Sequence, residues 1–361
     1  MFTRLIGNNR AKEILRRVIR QARVPGAMLF TGEDGVGKKL FALELAKALN
    51  CRTPVDAEGC DACPVCARIN RIGDKALDDS GKLIVWSAHP DVGLILPAGR
   101  LITAPQIREL ERESNARPFE GVARLFIIEE ADRMNDVAAN ALLKTLEEPP
   151  ASSHLMLLSA RPAALLPTIR SRCQLVRFTP LTVTEIAEYL QSSQGGKLSA
   201  TDVSLAARAA QGSLGRALAL DPKNYREQRS LMLDILDALA RDAHRARLLR
   251  ASESLSDPKY KDEYEERLEI LETLIRDIWT IKLGDASTAQ LINDDLSQQL
   301  AQLGAYVSLG RARLWLQHIE ETRRQLAVNI NRKIATDALL LTMAGTTGER
   351  RNSSNSAHAG R

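Results

Sequence analysis

The stretch Ala27–Leu40, "AMLFTGEDGVGKKL", constrains the fold more than any other part of this 361-residue chain. A short apolar run feeds a glycine-rich loop, and the loop opens directly into a helical pattern. That strand–loop–helix order is the setting of a phosphate cradle, in which backbone N–H groups and a helix N-terminus face an anion. Gly32, Gly37 and Lys38 satisfy the spacing Gly-x4-Gly-Lys, and Gly35 and Gly37 let the loop amides turn inward. The next position should carry a hydroxyl for Mg²⁺, and it carries Lys39 instead. A glycine-rich turn with a solvated lysine is the plainer reading, and the flanking elements argue against it.

Such a loop works with carboxylates at the end of a buried strand. The run "LFIIEE" offers Glu129 and Glu130, where Asp followed by Glu is the common pair. The first carboxylate normally supports Mg²⁺ and the second polarises the attacking water. A solvated glutamate pair is the alternative. Lys39 and Glu129 depart from the pattern on the same side of the site, the metal side. An ammonium cannot ligate Mg²⁺, so Lys39 and Glu129 are expected to form an ion pair that partly occupies the metal position. Binding of ATP or ADP through the loop amides stays open, Mg²⁺ is disfavoured, and hydrolysis is expected to be weak or absent. The sequence therefore leaves open whether the chain is an enzyme in its own right.

Four of the five cysteines form the set Cys51-x8-Cys60-x2-Cys63-x2-Cys66. Two successive x2 spacings suit a tetrahedral thiolate shell for Zn²⁺, and a shell closed by four protein ligands is structural rather than catalytic. Disulfides are the competing reading, disfavoured in a reducing compartment. No apolar run approaches a membrane span, and the start lacks a signal-peptide layout, so a cytoplasmic protein without membrane contact is expected. Fifty basic and 45 acidic residues give a net charge of +5, which permits an anionic partner without requiring one. Aromatic residues make up 4%, too few for a base-stacking platform.

From residue 1 to about 180, strand and helix patterns alternate, which predicts a parallel sheet covered on both faces. Expected helices cover 9–23, 40–50, 105–116 and 136–148. Expected strands cover 27–32, 92–97, 123–132, 154–160 and 173–178, with Cys173 buried in the last. After 180 the strands disappear. Residues 181–220 read as a lid of three short helices broken at Gly195-Gly196 and Gly212, and 221–344 as a helical collar with breaks near Asp257-Pro258 and Gly284. The tail 345–361 has no apolar periodicity and should be disordered. The first helix carries Arg10, Lys12, Arg16, Arg17 and Arg20, a candidate contact for DNA phosphates or simply a solvated basic face.

"PTIRSRC", Pro167–Cys173, places Arg170 and Arg172 just before a strand. Spacing alone favours a surface arginine pair over an arginine that acts on a neighbouring subunit. Together with "ANALLKTLEEPP" (Ala139–Pro150), "GSLGRALAL" (Gly212–Leu220) and "NINRKIATDALLL" (Asn329–Leu341), however, the loop, the cysteine module and the Ser-Arg-Cys triplet resemble the bacterial clamp-loader branch of the AAA+ ATPases over nearly the whole chain. The resemblance implies an α/β P-loop (AAA+) domain with an inserted zinc module, a helical lid, and a collar that assembles a heteropentamer with gamma/tau and delta subunits. That assembly is expected to open a sliding clamp and place it on primed DNA, which it contacts through phosphates. By the same likeness Arg172 acts in trans on ATP held by a gamma/tau neighbour, Lys38 is the loop lysine, and Cys51, Cys60, Cys63 and Cys66 ligate zinc. Ser159 stands at a sensor position where active members carry Thr-Thr-Asp or Thr-Asn, and Arg216 lies one place beyond the sensor arginine. Two rivals remain. A gamma/tau-type motor predicts Ser or Thr at 39 and Asp at 129, and a zinc-dependent DNA-binding protein with a decayed loop predicts basic residues among the cysteines, where only Arg52 is found.

Overall fold

The computed structural model describes residues 2, 5–72, 83–193, 198–241, 245–257, 259, 263–284, 291–327 and 331–345. The chain divides into two compact units, Met1–Leu198 with Ala210–Ala219, and Ser199–Ala209 with Leu220–Arg361.

The first unit is built on a six-stranded sheet. Its strands are β1 (Ala27–Thr31), β2 (Val85–Trp86), β3 (Val92–Ile95), β4 (Arg124–Ile128), β5 (Ser153–Ser159) and β6 (Gln174–Arg177), in the order β2-β3-β4-β5-β1-β6. β1, β3 and β4 are buried along their whole length, which is why "AMLFT" and "RLFII" read as unbroken apolar runs. All neighbours pair in parallel except β2, which runs antiparallel to β3. The parallel sheet expected from sequence is found, with one antiparallel strand added at its edge. A two-residue strand has no periodicity to read, and its pairing is set by the return of the chain at 87–91.

One face of the sheet is covered by α1 (Asn9–Arg20), α2 (Lys38–Asn50) and α3 (Pro64–Asn70), with Leu15, Phe41, Leu45 and Ile69 in the core. The other is covered by α4 (Ala104–Ser114), α5 (Asp136–Glu147) and α6 (Pro167–Arg172), through Ile107, Leu110, Leu142 and Ile169. Asn135 caps α5 by accepting the amide of Ala138 at 2.8 Å, and Pro149-Pro150 follows its end. Cys173 is half-buried at the C-cap of α6, one residue before β6, so its placement inside a buried strand is corrected. The helices α7 (Val183–Ser193) and α9 (Leu214–Ala219) complete this unit.

The second unit is all helical. It contains α8 (Ala200–Ala209), α10 (Pro222–Ala240), α11 (Arg245–Ser256), α12 (Tyr264–Lys282), α13 (Ser297–Gly304), α14 (Leu309–Ala327) and α15 (Arg332–Gly345). Trp315 is fully buried at its centre and donates its indole N–H to Met343 O at 2.9 Å. Leu205 of α8 belongs to this core, while α7 and α9 group with the sheet. Gly212 and Gly284 turn the chain with positive φ after α8 and α12. The predicted break at Gly195-Gly196, Pro258 and the tail 346–361 lie outside the described residues. No described helix is long and apolar enough to cross a membrane.

Candidate nucleotide cavity and metal centre

β1 runs into the glycine loop, and α2 begins at Lys38 with Gly37 as its N-cap. Gly37 has φ +99° and Gly35 φ +78°, backbone states that favour glycine. Gly35 has a second constraint, because a Cβ there would lie 1.9 Å from Ser213 Oγ. Lys38 is buried and donates its ammonium to Gly32 O at 2.6 Å and Glu33 O at 2.7 Å. Burial lowers its proton affinity below the ordinary lysine value, opposed by Asp34 at 3.5 Å and by the nearby charges of Asp132 and Glu33.

The loop forms one wall of a cavity of about 320 Å³. Gly35, Gly37, Lys38, Lys39, Glu129 and Glu130 all line it, while the predicted Gly32 is not part of its lining and accepts from Lys38 instead. Leu5, Ile6, Leu181, Tyr189, Leu214 and Leu218 supply an apolar side. A base and sugar fit such a wall, and the first-turn amides of α2, which have no helical acceptor, suit a phosphate. The residues thus fit a nucleotide at the loop. They do not fit its Mg²⁺, because Lys39 Nζ lies 2.7 Å from Glu129 Oε1 and the carboxylate is already bound by a cation. Glu130 has φ +47° and pairs with Arg133 at 2.7 Å.

Other candidates lie elsewhere. Ser159 is buried and donates to Asp132 Oδ1 at 2.8 Å rather than lining the cavity. Arg216 is exposed on α9 and likewise lines none of it. Arg172 sits at the end of α6, donates to Thr168 O at 3.1 Å and pairs with Glu147 at 2.7 Å, outside the cavity. Two residues of this region had escaped sequence reasoning. Asp132 is almost fully buried and also holds Arg161 at 2.9 Å, and Ser213 closes onto Gly35. Asp132 was findable as the third carboxylate after β4. Ser213 carried no signal, because only the fold brings it to the loop.

The four cysteines converge. Their sulfurs all lie within 4.8 Å of one another, and Cys51 and Cys63 are 3.9 Å apart. Tetrahedral Zn–S bonds of about 2.3 Å require about 3.8 Å between sulfurs, so the cluster fits a metal ion. The amides of Cys60, Cys63 and Cys66 point at the sulfurs of Cys51, Cys60 and Cys63 at 3.2–3.5 Å. Beneath them Lys47 joins Glu44 to Asp61, the latter at 2.7 Å, tying the module to α2.

The basic face of α1 is smaller than the sequence suggested. Lys12 is buried and donates to Leu5 O, and Arg16 pairs with Glu58 of the cysteine module at 2.6 Å. Arg10, Arg17 and Arg20 remain exposed.

Comparison with known proteins follows this geometry closely. Residues 7–182 match the family model described as DNA polymerase III, delta subunit, and residues 226–344 match the one for its C-terminal part. DNA polymerase III subunit delta' of Bacillus subtilis (strain 168) is 30% identical over 326 residues, covering 89% of this chain and 92% of the relative. The delta' subunit of Escherichia coli (strain K12) is 29% identical over 323 residues, with 87% of each chain covered. The E. coli tau subunit is 32% identical over 222 residues, which span 61% of this chain and 32% of tau.

Proposed function

This chain belongs to the family of DNA polymerase III delta' subunits, and from that premise we propose that it serves clamp loading as a stator rather than a motor. It joins gamma/tau and delta subunits, supports the opening of a sliding clamp on primed DNA, and lends Arg172 to ATP held by a gamma/tau neighbour. One observation carries the reading: Lys39, at the motif position that calls for a Mg²⁺-binding hydroxyl, pairs with Glu129 at 2.7 Å. A phosphoryl-transfer site without its divalent ion loses the cation that bridges the β- and γ-oxygens. Lys38 and the loop amides then bind and orient a nucleotide but leave the γ-phosphate unactivated.

Arg172 is suited to action outside its own cavity. It is partly exposed, it lies at the end of a short helix, and its carboxylate partner, Glu147, is itself exposed. Zinc in the four-cysteine cluster is part of this proposal and has a structural role, since all four ligand positions come from the chain. The division of labour into a nucleotide-binding-like domain (1–180), a lid (181–220) and a collar (221–344) is proposed on the same footing.

The isolated chain tests the first half of the reading. Its Mg²⁺-dependent ATP turnover is expected far below the order of 1 s⁻¹ typical of working enzymes. Turnover at that level, abolished by Lys38→Ala, would identify a motor subunit instead.

A further inference from the structure

The most exposed large apolar side chain among the described residues is Phe119, at 85%, with Val122 close behind at 78%. Both sit on the loop 117–122, "RPFEGV", which leads into β4. An exposed apolar tip on a loose loop would carry little information, but this loop is held at every amide from 119 to 123. Fully buried Asp91 accepts Phe119 N at 2.6 Å, Glu120 N at 3.0 Å and Gly121 N at 2.8 Å. Buried Asn50 accepts Val122 N at 2.8 Å and Ala123 N at 3.1 Å. Gly121 passes so close that a Cβ would lie 2.3 Å from Asn50 Oδ1.

The second group of anchors belongs to the cysteine module. Asn50 is the last residue of α2, directly before Cys51. Arg68, two residues after Cys66 on α3, pairs with Glu120 Oε1 at 2.6 Å. Cys63 is the N-cap of α3, so the cluster fixes that helix as well as the end of α2. A metal ion in the cluster would therefore clamp Asn50, which holds the amides of Val122 and Ala123, and Arg68, which holds the side chain of Glu120. Asp91, between β2 and β3, holds the amides of 119–121 independently of it.

We infer that the metal centre braces this loop, and that its occupancy sets how rigidly Phe119 and Val122 are displayed, with Asn50 and Arg68 as the positioning residues. The inference rests on reading the cysteine cluster as a metal site. It assigns the module a consequence beyond its own folding.

Amide hydrogen exchange on the full chain, with Zn²⁺ content measured in parallel, tests this. Zn²⁺ removal by a chelator should speed exchange at Val122 and Ala123 at least about tenfold, while Phe119–Gly121, held by Asp91, change less. Asn50→Ala in the Zn²⁺-loaded chain should reproduce the gain at Val122 and Ala123, and chelation should then add little there. Arg68→Ala should act in the same direction through Glu120. A chain that binds Zn²⁺ but keeps Val122 and Ala123 equally protected after its removal overturns the brace alone. Loss of protection spread equally over β1, β4 and β5 also overturns it, by making the metal a global staple. A chain that binds no metal overturns the reading of the cluster itself.

Discussion

Lys39 and Glu129 differ from the expected hydroxyl and aspartate by a few atoms, and they face each other as an ion pair at 2.7 Å. Their pair is partly solvated, with the lysine side chain 40% exposed, so its worth to folding is small. Lys39→Ala is accordingly expected to shift stability by less than about 1 kcal/mol, read from denaturant midpoints, while Lys39→Thr with Glu129→Asp should gain measurable Mg²⁺-dependent nucleotide binding. A second residue-level expectation concerns His89. Its ring is fully buried, Nδ1 accepts the Asp91 amide at 3.3 Å, and burial lowers its proton affinity below the ordinary value of 6.5, against the pull of Glu120 and Asp91. The unfolded chain binds this proton more readily than the folded one. Stability should thus fall as pH drops through the region around 6.5, and the contribution of this ring to the pH dependence fades above about pH 7.5. His89→Gln should flatten the slope of unfolding midpoints between about pH 7.5 and about pH 5.5.

Elements show what a sequence can and cannot disclose. The buried strands and the loop-to-helix junction at Lys38 were legible because apolar runs and glycines are local signals. The Lys39–Glu129 pair was legible too, since two departures on one side of a known pattern imply each other. β2 was not, because two residues carry no period. Neither was the contact of Ser213 with Gly35, nor the grip of Asn50 and Asp91 on the loop 117–122, which join segments remote in sequence. Lys12 and Arg16 read as a DNA-phosphate contact or a solvated basic face, and only the folded chain shows their partners Leu5 O and Glu58. Caps are the local signal most easily tested. Asn135→Ala should cost about 1 kcal/mol by removing the side chain that caps α5, measurable by chemical denaturation.

At the scale of the molecule, the two units carry separate burdens. The helical unit depends on a core centred on Trp315, and Trp315→Ala should destabilise it by about 3–5 kcal/mol while leaving Zn²⁺ content unchanged. The sheet unit places the loop-lined cavity and a partly exposed Arg172 at distinct positions, which is the arrangement the proposed stator role needs. The most direct measurement is DNA-stimulated ATP hydrolysis by a loader reconstituted with gamma/tau and delta subunits. Arg172→Ala should silence the adjacent site, where an arginine of this kind contributes about 10³-fold or more, and so lower the total rate clearly. Lys38→Ala should leave that rate within about twofold, since the loop's own nucleotide is not the one hydrolysed. A rate unmoved by Arg172→Ala, or lost with Lys38→Ala, would contradict the account.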